Sequence, residues 1–190
     1  ELRPLSTIIF VVVLALLIFR ILWGLVGGYW SRFGSFIPST AAMSRYMRGT
    51  STTQDRAGHN PLGSLSVIAM LIVLMAQIAS GLMSDDEIAF SGPLTRFVSG
   101  ELISKATNYH AHWGQYLIYA LVALHLLALI GYSLKGDKLV PAMVTGDKLL
   151  KEPVAASRDT ASTRVLAALL AVVASSLSWW IHQLGQSAAF

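Results

Sequence analysis

Residues 113–133 read WGQYLIYALVALHLLALIGYS, from Trp113 to Ser133, and their reading decides the fold. The stretch carries no Asp, Glu, Lys or Arg. A helix needs about 20 apolar residues to cross the hydrocarbon core of a bilayer, so this one is long enough to span it. Three more stretches meet the same condition, near residues 5–25, 63–83 and 165–185. We label the four expected spans A to D in chain order, with 113–133 as span C. The composition agrees: of 190 residues, 54% are hydrophobic and only 13% charged, with a mean hydropathy of +0.60. A soluble domain carries about twice that share of charge. The expected architecture is an all-α integral membrane protein, a single domain over residues 1–190 built as a four-transmembrane-helix bundle in contact with the lipid bilayer.

The formal net charge is +4 and the sequence pI about 9.6. The basic residues lie beside apolar runs, so membrane topology accounts for them better than nucleic acid does. The A–B connection, residues 26–62, carries Arg32, Arg45, Arg48 and Arg56. The C–D connection, residues 134–164, carries Lys135, Lys138, Lys148, Lys151, Arg158 and Arg164. The B–C connection, residues 84–112, sets only Arg96 and Lys105 against Asp85, Asp86, Glu87 and Glu101. Lys and Arg accumulate on the cytoplasmic side. The first two connections are therefore expected in the cytoplasm, with the third and both termini outside. An outer N-terminus fits a chain in which a further helix precedes span A, as does Glu1 in place of an initiator Met; the bundle would then have five helices. Arg20 and the aromatic residues from Trp23 onward argue against a signal peptide. Pro38-Ser39-Thr40 ahead of residues 41–48 reads as a short capped helix on the cytoplasmic surface, and residues 150–164 as a polar linker.

Cysteine is absent, so any metal centre must be held by imidazole rather than thiolate. Of the five histidines, His59, His110, His112, His125 and His182, only His125 lies deep within a span. A buried imidazole is either bonded to a neighbouring helix or ligates a metal or haem. On an uninterrupted helix the fifteen steps from His110 to His125 turn through about 1500°, about 60° beyond four full turns, and rise about 22 Å. His112 points about 140° away from His125. His110 and His125 thus share a face, one toward each side of the membrane, unless an irregular turn opens span C and brings His112 forward. Gly114, four residues after His110, leaves room either for a flat macrocycle or for close helix packing.

His182 follows Trp179 and Trp180 and reads as an interfacial group, or else as a ligand or quinone contact at the outer face. His59, in the turn Gly58-His59-Asn60-Pro61-Leu62-Gly63, reads as part of a helix entry. Arg20, inside span A, either snorkels to the interface or pairs with an anion such as a haem propionate. Gln77 in span B reads as an interhelical hydrogen-bonding group. No Ser–His–Asp cluster or intramembrane carboxylate pair points to hydrolysis. The mid-membrane charge pairs or broken spans of a transporter are not seen either.

The run Phe19-Arg20-Ile21-Leu22-Trp23-Gly24, followed by Trp30-Ser31-Arg32-Phe33-Gly34-Ser35-Phe36-Ile37-Pro38, resembles the bacterial cytochrome b561 family, which includes the b-type cytochrome subunits of nickel–iron hydrogenases. Three further pieces are similar to the family in the same order. They are the turn at 58–63, span C with His110, Gly114 and His125, and the segment 139–148, LVPAMVTGDK. Span D would be an extra C-terminal helix.

The resemblance implies a bacterial inner-membrane bundle holding one or two b haems, each between two histidines. It would pass electrons between a quinone pool and a partner redox protein. His125 and His110 would be axial ligands to haem iron, with His112 the alternate. In the family the remaining ligands come from a helix preceding span A and from the start of A. Here no such helix is present in the sequence and Ser6 stands where the histidine is expected. The expected function is a b-type cytochrome subunit of a membrane redox complex, an electron carrier rather than a stand-alone catalyst. Its partner would be a periplasmic c-type cytochrome, a dehydrogenase or a hydrogenase. The alternative is a haem-depleted subunit that anchors such a complex.

Overall fold

Small polar side chains start most of the helices. The computed structural model describes residues 3–88, 90–137, 139–146, 150, 152–154, 157 and 159–186. Glu1, Lys138, Asp147, Lys148, Lys151 and Arg158, which the charge pattern and the family resemblance invoke, lie outside them. Helix α1 (Arg3–Val26) is followed by a 3-10 turn and the short α2 (Phe33–Phe36). The Ser39 hydroxyl accepts from the Ala42 amide to start α3 (Thr40–Met47), as its sequence signature leads one to expect. Thr52 and Asp55 form a reciprocal capping box on α4 (Thr53–Arg56). Asn60 accepts from the Gly63 amide at 2.7 Å and Pro61 opens α5 (Pro61–Leu82), so the 58–63 turn is a helix entry.

The B–C connection, residues 84–112, departs from its expected form as a loop. Ser99 caps α6 (Gly100–Asn108), which runs through a π turn at Tyr109–Gly114 directly into α7 (Gln115–Leu134). A Glu101–Lys105 pair at 2.6 Å supports α6 from the water side. Its helical period is polar enough that hydropathy alone does not reveal it. The π turn also overturns the uninterrupted helix on which the angle between His110 and His125 was reckoned. A turn closed i→i+5 holds one residue more than an α turn, which offsets what precedes it by about 100°. Beyond α7 come α8 (Leu139–Thr145) and α9 (Ala161–Gln186). The latter starts inside the expected 150–164 linker because Thr160 and Thr163 cap it reciprocally.

Among the described residues four helical segments are long and apolar enough to cross a membrane, within Thr7–Val26, Thr53–Leu82, Gly100–Leu134 and Ala161–Gly185. Among the described residues there is no strand, only an isolated bridge between Asp85 and Ser91. The principal contacts place the long helices in a row, α9–α1–α5–α7. The α1–α9 seam is the most extensive and is built from small residues: Ala174 is 1% exposed and Ser178 fully buried, its hydroxyl donating to the Val11 carbonyl at 2.7 Å. Such close backbone approach is what drives helix association where lipid is as apolar as leucine. By contrast, α7 buries no side chain and exposes Tyr116, Tyr119, Leu124, Leu126 and Leu127.

Candidate functional site

The site forms where the π turn meets the end of α5. His110 turns toward α5, and its Nδ1 lies 2.9 Å from the Gln77 carbonyl oxygen. A carbonyl can only accept, so Nδ1 carries the proton and Nε2 keeps its lone pair. Among the described residues nothing hydrogen-bonds Nε2. The ring lies flush against Gly81, where a methyl group would stand 2.7 Å from the His110 Cε1. Ser80, whose hydroxyl donates to the same Gln77 carbonyl at 2.9 Å, completes the seat.

Gln77 also reaches back. Its Nε2 donates to the His110 carbonyl at 3.1 Å, the interhelical bond expected of it. Its Oε1 is buried without a hydrogen-bond partner, which costs about 1–3 kcal/mol. The space beside Gly114 is taken by this amide and by the edge of Tyr109. A methyl group on Gly114 would overlap Gln77 Oε1. The Gln115 side chain donates to the Ala111 carbonyl on the same turn.

The other candidate residues are dispersed. His112 is exposed and lines an open cleft of about 470 Å³ with Asp85, Glu87, Ser104 and Thr107. His125 is half-buried on α7, and among the described residues its imidazole has no hydrogen-bond partner. Arg20 does not sit beside either histidine. Its Nη1 donates to the Ser31 carbonyl at 3.2 Å and its guanidinium lies over the rings of Phe33 and Phe36, 5.3 and 5.7 Å from their centroids. His182 lies against Trp179 on α9, ring centroids 5.6 Å apart. His59 packs edge-on to Phe36. Among the described residues no three His, Asp or Glu side chains converge as a metal-ion cage. Gly81, Ser80 and the Gln77 carbonyl were not legible beforehand. A small residue in an apolar helix signals only packing, and a main-chain acceptor has no signature at all.

These features define a class: a multi-pass helical membrane protein that seats one imidazole between two spans and carries a second farther along the same helix. The family model for prokaryotic cytochrome b561 matches residues 7–146, and the chain belongs to that family. No curated protein and no solved structure gives a match. Membership supports the electron-transfer role of a b-type cytochrome and implies that haem b is bound. The residues present fit that group. A metal-ligating histidine regularly donates its other ring N–H to a carbonyl, which fixes its tautomer, and His110 does so toward Gln77.

Proposed function

We propose that the protein is the haem b subunit of a redox complex in the bacterial inner membrane, in which His110 and His125 would hold haem iron. Electrons would pass between a quinone pool and a partner such as a periplasmic c-type cytochrome, a dehydrogenase or a hydrogenase. The observation that carries this reading is the Nδ1–H bond from His110 to the Gln77 carbonyl, which leaves the Nε2 lone pair available to ligate iron. Haem b supplies a one-electron couple when bound. The chain orients the His110 ring through Gln77 and Gly81, offers at His125 a second imidazole that has no hydrogen-bond partner among the described residues, and keeps water away with its apolar spans. Arg20, held by aromatic faces and a carbonyl rather than by a carboxylate, remains able to receive an anionic propionate. The arginine-rich residues 26–62 would face the cytoplasm.

A reduced-minus-oxidised optical spectrum of the purified protein, with its haem-to-protein ratio, tests the proposal. A b-type spectrum is expected, with one centre lost in His110→Ala and one in His125→Ala. Absence of haem absorption would sink the reading. It would leave the anchor subunit, which one observation favours: protein rather than open space lies beside Gly114.

A further inference from the structure

Resting on the reading of His110 as a haem ligand, we propose that Gln77 is a positioning residue for it, whose side-chain amide holds the π turn open and so sets the orientation of the imidazole. Residue 77 grips residue 110 at both ends. The main-chain carbonyl of Gln77 takes the His110 ring proton at 2.9 Å, and the Gln77 amide bonds the His110 main-chain carbonyl at 3.1 Å. π turns occur as single wide turns, and a side chain reaching into the ladder is a recognised cause of such departures from the α-helix. Here that side chain is Gln77. It comes from another helix and occupies the space that Gly114 leaves, with its Oε1 buried and unbonded. An amide placed only to satisfy itself would not leave that atom orphaned; what holds it is the grip on His110. Closing the π turn to α geometry would rotate the preceding residues by about 100° and lift the His110 ring from Gly81.

Two variants of the full-length protein remove the grip by different routes. Gln77→Met keeps the side chain's length but not its donor. Gly114→Ala drives a methyl group into the amide. The readouts are the redox midpoint potential of the centre lost in His110→Ala and the low-temperature EPR g values of its ferric form, which respond to imidazole orientation. Hydrogen bonding from Nδ1 makes the ligand more basic and so favours ferric iron. Both variants should therefore shift that centre's potential upward and change its g values. The other centre should not move. In the double variant the shifts should fall short of additive. Gln77→Glu, protonated in lipid and again a donor, should return both signals toward the native values. Unchanged potential and g values would overturn the proposal, as would lost stability without either shift. If Gln77→Met fails to accumulate, Gly114→Ala and Gln77→Glu still read the same contact. A His110→Ala variant that keeps all its haem would refute the ligand reading itself. Loss of a centre in His110→Ala with Gln77 variants that leave it untouched would refute only the role of Gln77.

Discussion

Gly81 has no room for a methyl group, because the His110 ring already occupies it. Gly81→Ala should push the imidazole off its carbonyl acceptor. Overpacking of this kind costs about 1–3 kcal/mol, so a lower haem-to-protein ratio and a lower thermal midpoint are expected together. A second residue-level consequence lies at the other end of the bundle. The Tyr46 hydroxyl is 2.6 Å from that of Tyr132, to which the Asn60 amide also donates at 2.9 Å. Burial, reinforced by the Tyr132 bond, pushes the Tyr46 hydroxyl up from its ordinary 10 to about 12. A group held protonated in the fold contributes stability that is whole below its unfolded value and is lost as pH rises through its folded one. Thermal stability should therefore decline between about pH 10 and pH 12, and decline less steeply in Tyr46→Phe. His110 and His125 stand out in the sequence as candidates because ionisable rings within or beside an apolar run are conspicuous. Their surroundings do not, since Gly81 and a peptide oxygen meet the His110 ring only through the approach of a second helix.

At the scale of elements, the four long apolar helices and the α3 cap were readable from hydropathy and from serine placement. Helix α6 was not, and the π turn was expected only as an irregular opening of span C that would bring His112 forward, whereas His110 is the ring that faces α5. The first shows water a polar surface, and the second depends on Gln77 from another helix. The α1–α9 seam offers a separable test. Ser178→Ala removes the bond to the Val11 carbonyl, and hydrogen bonds between membrane helices average about 0.6 kcal/mol. Ala174→Leu, at a position 1% exposed, should cost more, about 1–3 kcal/mol. Both variants should lower the thermal midpoint in detergent. Neither should alter the optical spectrum, because α9 packs on α1 while the histidine seat lies between α5 and the turn before α7. A spectral change in Ser178→Ala would contradict that separation.

For the whole molecule, orientation is the property that the charge pattern decides most directly. The natural absence of cysteine makes it measurable. Single cysteines at the exposed positions Thr50 and Glu101, introduced as Thr50→Cys and Glu101→Cys, should react with an impermeant maleimide from opposite sides. The first should label only in inverted vesicles and the second in intact cells. Labelling of both from one side would reverse or refute the topology. The order of helices has a further consequence. Because the principal contacts run in a line, the assembly has two ends, with α9 at one and α7 at the other. Helix α9 lies beyond the family-matched residues and occupies the end remote from α7. Its last turn also touches the connection that follows α5, with Gly185 against Pro93 and the Leu184 carbonyl accepting from Arg96, so the row is tied across one side as well as along its length.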